Sequence, residues 1–207
     1  MQATAIVAEI LIVGLQAAGW LFLVVLTVFG PRVIDRALPQ SDVVVAAIGL
    51  GAVYVLGVLA DRAADSSITA LRKTAFGRWI SRVFGKRRKP AEQPPSPGNV
   101  GKKRLFVMYH GGGGMGAFLE YQRSRHRIAR ATVFNLAFAV PAAAVFAGVR
   151  EHALAHPGLW SVGIVLGVGV LLVAIFADVR IDEAFIARLN DAVEVIMEHR
   201  PDLKYPN

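Results

Sequence analysis

Residues 4–29 read TAIVAEILIVGLQAAGWLFLVVLTVF, an apolar run interrupted only by Glu9 and Gln16. A helix of these 26 residues reaches about 39 Å, which exceeds the roughly 30 Å hydrocarbon core of a bilayer. Pro31 follows the run and disfavours a helical conformation in the residue before it. No Lys or Arg precedes the run, and it is too long for the apolar core of a signal peptide. The stretch therefore predicts a transmembrane helix that is retained rather than cleaved.

Three further apolar blocks predict three more transmembrane helices. They cover residues 43–60, 131–149 and 160–177, and none of them contains Asp, Glu, Lys or Arg. Pro141 is tolerated inside a span if neighbouring helices satisfy the carbonyl group that it leaves free. The sequence therefore predicts an all-α membrane protein whose four transmembrane helices form two hairpins, with amphipathic helices in the cytoplasm.

The composition supports this fold class and excludes several kinds of site. Hydrophobic residues make up 55% of the 207 residues, and charged residues make up 18%. An average soluble domain has roughly 25% charged residues. The chain has no cysteine, which excludes disulfides, thiolate catalysis, cysteine-ligated zinc and iron–sulfur clusters. The five histidines are scattered and form no H-E-x-x-H pattern. We therefore predict no metal site and no cofactor.

The charges predict how the chain is divided and oriented. The parts are a first hairpin over 1–62, a basic loop over 63–130, a second hairpin over 131–177 and an acidic helix over 178–207. Residues 61–130 contain sixteen Lys or Arg against four acids, and such an excess marks cytoplasmic loops. The two arginines between the first two spans favour the opposite orientation but are outnumbered. We expect a multi-pass protein of a bacterial inner membrane or a plasma membrane, with both termini in the cytoplasm.

The segments outside the spans differ in character. Residues 63–84 carry an apolar stripe at helical spacing, which predicts either a continuation of the second span or an amphipathic helix on the membrane surface. The proline-rich basic stretch over about 85–104 predicts a disordered linker. A helix is expected from about Met115 into the third span. Residues 178–207 contain seven acids and four bases. They predict an amphipathic helix that docks in its own bundle, pairs with the basic helices or forms a coiled coil between subunits.

Basic side chains near the span ends are candidates for contact with anionic lipid headgroups, at about 1 kcal/mol for each well-placed residue. The candidates are Arg72, Arg78, Arg82, Arg123, Arg125, Arg127 and Arg130. Few aromatic residues interleave with the basic runs, and no nucleic-acid-binding fold is visible, so nucleic acid is not an expected partner. The expected partners are membrane lipids and either further copies of the chain or another protein.

Three polar residues inside the apolar blocks are candidate functional residues. Glu9 is an ionisable group within a span, and such groups often serve transport or gating. It also suits pairing with an arginine near the membrane surface, or a position at the interface. Gln16 and Asn135 suit hydrogen bonds between helices better than the lining of a pore.

The run of His110, Gly111, Gly112, Gly113 and Gly114 is a further candidate. A histidine followed by glycines resembles the oxyanion loop of lipases and esterases, whose backbone N–H groups stabilise a tetrahedral oxyanion. The chain has no G-x-S-x-G nucleophile motif, which weighs against esterase chemistry. The glycines suit either a loop that cradles phosphate or a flexible hinge before the third span.

These patterns favour a non-enzymatic membrane component that oligomerises or binds a partner through its cytoplasmic helices. The alternative is a small oligomeric channel or pore-forming effector, and a membrane enzyme acting on lipid is more remote. Small residues four apart in the spans let helices approach closely, either within one bundle or between subunits. They include Gly14 with Ala18, Ala47 with Gly51, Ala139 with Ala143 and Ala147, and Gly163 with Gly167.

Overall fold

A computed structural model of the chain describes residues 2–30, 43–84, 97–150, 157–200 and 202–203. Within these ranges the chain forms helices and no strand, which confirms the all-α prediction. The helices are α1 (Gln2–Phe29), α2 (Val43–Lys73), α3 (Ala75–Phe84), α4 (Pro97–His110), α5 (Gly112–Arg150) and α6 (Pro157–His199).

Four of the described helices, α1, α2, α5 and α6, are long and apolar enough to cross a membrane. Their most apolar 18-residue windows have mean hydropathies of 2.3, 2.5, 1.9 and 2.6. Few residues of these windows are buried inside the protein, so most of their apolar side chains face outward. Outward apolar faces on long helices are typical of proteins surrounded by lipid. The structure thus has the architecture of a multi-pass membrane protein.

The central helix of the bundle is α5. It packs against α1, α2 and α6, while α1 also packs against α2. Polar contacts show that α5 runs parallel to α1: Glu9 meets Ser124 near one end and Trp20 meets Asn135 further along. The predicted pairing into two hairpins stays a prediction, because residues 31–42 and 151–156, where the turns would lie, are outside the described residues.

Two glycines set the distance between α1 and α2. A Cβ atom added to Gly14 would lie 1.9 Å from the carbonyl oxygen of Val53, and one added to Gly57 would lie 2.0 Å from that of Ile10. Only a residue without a side chain permits backbones to come this close. Beside this crossing, the buried residues are small or medium-sized and apolar. They are Val13, Ala17, Ala60, Ala64 and Ala131.

The helix predicted within 63–84 is divided in two by Thr74. α2 continues past the second apolar block to Lys73, and α3 is a separate helix. The Thr74 hydroxyl accepts a hydrogen bond of 3.1 Å from the backbone N–H of Gly77, as an N-cap residue does. The second span therefore continues to Lys73, as one of the two readings predicted, whereas a position of α3 on the membrane surface stays a prediction.

The predicted disordered linker over about 85–104 is wrong for its last part, because residues 97–104 belong to α4; residues 85–96 lie outside the described residues. Pro97 is the first residue of α4, a position where proline is tolerated. Val100 and Phe106 pack against a core formed with α5 and α6, and Val107 is fully buried within it. Apolar burial that local composition does not reveal thus orders this stretch.

A compact three-helix unit lies beyond the apolar blocks. We use this name for α4, residues 112–130 of α5 and residues 178–199 of α6. Its core residues come from all three helices, and each is nine-tenths or more buried. They are Val107, Leu119, Phe185, Leu189, Val193 and Ile196. Because α5 and α6 run without a break through both regions, the unit is a direct extension of the helices that carry the third and fourth apolar blocks.

Candidate functional site

Acidic and basic side chains of four helices meet at the level where the apolar blocks end. We call this group the charged layer. Its members lie within about three helical turns on each helix, so that they can face one another across the bundle. They are Glu9 of α1, Asp61, Asp65 and Arg72 of α2, Ser124, His126, Arg127 and Arg130 of α5, and Asp178 and Asp182 of α6.

The first half of the charged layer joins α1, α2 and α5. Arg127 donates hydrogen bonds to both carboxylate oxygens of Asp61, through Nη2 at 2.7 Å and Nε at 3.4 Å. Glu9 accepts a hydrogen bond from the Ser124 hydroxyl and lines a small cleft together with Asp61 and Arg127. Arg130 pairs with Asp65 one turn further along α2. Glu9 therefore lies among charged groups of neighbouring helices instead of alone in the hydrocarbon.

The second half joins α2, α5 and α6. The Arg72 guanidinium reaches Asp178 through Nη2 and Asp182 through Nη1, each at 2.9 Å. His126 Nε2 lies 3.2 Å from Asp182 Oδ1 and 3.7 Å from Asp178 Oδ1. The Asp178 side chain is only 7% exposed. Arg72 is thus the cation that compensates a buried carboxylate, and loss of such a partner is destabilising because it leaves an uncompensated charge.

The polar residues predicted within the spans bond to one another between α1 and α5. Asn135, which is 2% exposed, donates a hydrogen bond of 3.3 Å to the carbonyl oxygen of Val13 and accepts one of 3.2 Å from Trp20 Nε1. Gln16 Nε2 lies 3.2 Å from the hydroxyl of Thr132 and its Oε1 lies 3.3 Å from Asn135 Nδ2. The hydrogen-bonding groups of Gln16 and Asn135 are therefore used inside the bundle.

The seven arginines predicted to contact lipid fall into two groups. Arg72, Arg127 and Arg130 are drawn into ion pairs of the charged layer. The side chains of the other four are exposed, although two of these have contacts within their own helix. These four are Arg78, Arg82, Arg123, which lies 3.8 Å from Glu120, and Arg125, which lies over the Tyr121 ring at 5.8 Å.

The His110 and glycine run forms the turn between α4 and α5. The Gly111 N–H donates a hydrogen bond of 2.8 Å to the carbonyl oxygen of Val107, and Gly112 has a φ of +70°. This is how a helix commonly ends at a glycine. Gly113 and Gly114 already belong to α5. His110 is exposed, with its ring 4.9 Å from that of Phe106. The turn connects two helices of the three-helix unit and does not separate that unit from the third span.

A wide apolar groove opens between α1, α5 and α6 in the region of the apolar blocks. Its volume is about 530 Å³. The small-residue repeats predicted to bring helices together form much of its wall, and a Cβ added to Gly167 would touch Val140 at 3.1 Å. The lining residues are Leu23, Ala139, Val140, Ala143, Ala144, Ala147, Trp160, Gly163, Ile164 and Gly167.

Sequence reasoning identified Glu9 but did not single out the other acids of the charged layer or His126; those acids are Asp61, Asp65, Asp178 and Asp182. The sequence nevertheless contained a signal. Two of the apolar blocks are followed directly by an aspartate, and a second aspartate follows one helical turn later. Asp61 with Asp65 and Asp178 with Asp182 are both four residues apart, so each pair projects from one helix face. Two carboxylates on one helix face, directly after a span, can neutralise arginines of neighbouring helices that lie at the same level of the bundle.

The acids of the charged layer pair with side chains of neighbouring helices. Within the described ranges no three His, Asp or Glu side chains are grouped to hold a metal ion. The acids of the charged layer face arginine, histidine or serine partners instead of an open cleft of substrate size. Comparison of the chain with protein families, curated proteins and solved structures gives no match.

Proposed function

We propose that this chain is a non-enzymatic membrane component that assembles with further copies of itself through its three-helix unit, which lies in the cytoplasm. The observation that carries the proposal is an exposed apolar face on α4. Leu105 is 57% exposed, Met108 46% and Tyr109 82%. These three side chains project from one side of the helix, opposite buried Val107.

The position of α4 makes lipid an unsuitable partner for this face. Val107 and Val193 belong to one buried cluster, and Val193 lies fifteen residues beyond Asp178 on the unbroken helix α6. At about 1.5 Å per residue, this part of the unit lies about 22 Å along the helix from the end of the apolar block. Exposed apolar and tyrosine side chains at that distance from a bilayer are typical of protein–protein contacts.

A second copy is the favoured occupant because the unit carries a complementary face. On the outer side of α6, Asp191, Glu194 and Glu198 are exposed at helical spacing, with Val195 among them at 44% exposure. The α4 face is bordered by exposed Lys102. An acidic face with an apolar centre suits an apolar face that has a lysine at its edge. Since every copy has both faces, two copies can make the contact reciprocally.

The alternative of a small channel receives less support. A pore formed by the spans requires polar side chains that turn toward its axis. Gln16 and Asn135, two polar residues of the spans that a pore would need to turn toward its axis, use their hydrogen-bonding groups between α1 and α5. The cytoplasmic placement of the three-helix unit rests on the sixteen Lys and Arg of residues 61–130.

The mass of the detergent-solubilised protein tests this proposal. Light scattering during size-exclusion chromatography is expected to give at least twice the 22.2 kDa of one chain. Tyr109→Asp combined with Leu105→Asp should shift the protein to one chain, because buried unpaired carboxylates would destabilise the contact. Tyr54→Ser, which changes an exposed tyrosine of α2, is the control and should leave the mass unchanged.

Two results would overturn the proposal. One is a wild-type protein that is monomeric at all concentrations without another protein bound. The other is a Leu105 and Tyr109 double variant that keeps the wild-type mass. If a different protein instead co-purifies with the chain and is lost in the double variant, the occupant of the α4 face is that protein and not a second copy.

A further inference from the structure

The helix α3 contacts the bundle where the fourth apolar block ends. The ring of Phe84, its last residue, packs edge-on against the ring of Phe176 with 6.2 Å between centroids. Phe176 is two residues from Asp178, where the fourth apolar block gives way to charge. At its other end α3 is joined to α2 by Thr74 alone. The helix is therefore held against the bundle near the boundary between hydrocarbon and headgroups.

The side chains of α3 divide between three directions. Gly77, Ile80 and Phe84 turn toward the protein: Ile80 is 9% exposed, and a Cβ added to Gly77 would lie 2.2 Å from the carbonyl oxygen of Leu71. Trp79 and Val83, four residues apart, are 54% and 53% exposed and share a second direction. The third is occupied by basic side chains.

Those basic side chains are Arg78 and Arg82, which are also four residues apart and exposed. Arg78 Nη1 donates a hydrogen bond of 2.9 Å to the carbonyl oxygen of Lys73, which leaves further guanidinium donors available. In contrast to Arg72, neither is among the cations of the charged layer. The protein thus presents an apolar face and a basic face side by side on one short helix.

We propose that α3 lies on the bilayer surface and binds the anionic headgroups of phospholipids through Arg78 and Arg82, with Trp79 and Val83 inserted among the upper acyl chains. Tryptophan favours the interface between headgroups and hydrocarbon, and apolar side chains there leave water. Arginine forms paired hydrogen bonds with phosphate oxygens. This inference does not rest on the proposed self-assembly, because it concerns a different helix at a different distance from the bilayer.

The headgroup contact is tested by competition between lipids in native mass spectrometry. The full-length protein is released from micelles containing phosphatidylglycerol and phosphatidylcholine, and bound lipids are counted. Each arginine should contribute about fivefold to the preference for the anionic lipid, so the pair contributes roughly 25-fold. Arg78→Gln combined with Arg82→Gln should remove that preference. Arg188→Gln combined with Arg200→Gln is the matched control, since it removes the same charge from exposed positions 10 and 22 residues beyond Asp178.

Insertion of the apolar face has an independent test, because the chain has no cysteine. A nitroxide is attached to Val83→Cys or, as control, to Ala117→Cys, an exposed position of α5 outside the proposed contact between copies, in protein reconstituted into vesicles of both lipids. The label at 83 should be accessible to oxygen and shielded from a water-soluble nickel chelate, whereas the label at 117 should show the reverse. Equal shielding at both positions, or equal loss of lipid preference in both arginine pairs, would overturn the proposal.

Discussion

The close crossing of α1 and α2 predicts that Gly14→Ala destabilises the protein, and the distances at Gly14 give the magnitude. Replacement of Gly14 by alanine would place a Cβ atom 1.9 Å from the carbonyl oxygen of Val53 and 2.8 Å from its carbonyl carbon. Ordinary contact begins at 3.4 Å, so the two backbones must separate by about 1.5 Å. A backbone atom cannot rotate away as a flexible side chain can. The whole crossing must therefore open.

The free-energy cost combines strain with lost packing. Adding a methyl group to a closely packed site costs about 1–3 kcal/mol, and a backbone obstacle belongs at the upper end of that range. Separation also loosens contacts of the nearby buried residues Val13 and Ala17 with the partner helices. Alanine recovers up to about 1 kcal/mol because it is a better helix former than glycine. The expected net destabilisation for Gly14→Ala is therefore about 2 kcal/mol.

Gly19→Ala is the matched control on the same helix. A Cβ atom at Gly19 has no atom within 4 Å among the described residues, so only the helix-forming gain of up to about 1 kcal/mol applies. Unfolding in mixed micelles, followed by circular dichroism as denaturing detergent is added, measures both variants. The two should differ by about 3 kcal/mol. If Gly14→Ala is as stable as Gly19→Ala, α1 and α2 do not cross at this point.

Three further predictions concern the polar parts of the molecule. Arg72→Gln should destabilise the protein by about 2 kcal/mol in the same assay, because the buried Asp178 carboxylate loses its cation, and Asp178→Asn in addition should restore most of that loss. Asn135→Leu should cost about 1–2 kcal/mol, since it leaves Val13 and Trp20 without their partner, and a value near zero would contradict the interhelical network. Gly112→Ala should cost about 1–2 kcal/mol because of its φ of +70°, whereas Gly114→Ala, where nothing opposes a Cβ, should be neutral or stabilising.

The spanning helices could be predicted because the property that defines them is local. An apolar block of 18 residues or more without charge fixes both secondary structure and surroundings, since the backbone must satisfy its own hydrogen bonds in lipid. The sequences of blocks 43–60 and 160–177 are therefore enough to predict two spanning helices. They do not predict the residue at which each helix ends. α2 and α6 continue beyond their blocks because further turns pack against α5, and that contact is not local.

The order of residues 97–104 could not be predicted from composition for the same reason. The prolines and basic residues of the segment 85–104 suggest disorder when averaged over a window. Val107 nevertheless enters a core with Leu119 and Leu189, and the burial of these side chains stabilises the helix that carries it. The relevant partners lie 12 and more residues away in sequence. A prediction of disorder from local composition is therefore wrong where a few apolar residues pack against residues that are distant in sequence.

The division of the arginines also depends on tertiary contacts. In the sequence Arg72, Arg78 and Arg82 look equivalent, since all three follow the second span in a basic helical segment. Arg72 belongs to α2 and meets the acids of α6, whereas Thr74 redirects the chain so that the other two face outward. A single N-cap thus separates an arginine with a structural role from the two proposed to bind lipid.

The position of the glycine turn limits what can move. A hinge at Gly111–Gly114 would reorient the third span only if the turn separated that span from the rest of the protein. α5 instead begins at Gly112 and continues unbroken to Arg150, while α6 runs beside it. Rotation at the turn therefore displaces α4 alone, together with the face that carries Tyr109. The charged layer keeps α5 and α6 fixed to α2 through Arg127 and Arg72. Because α5 and α6 are unbroken, the glycine turn does not give the third span a hinge of its own.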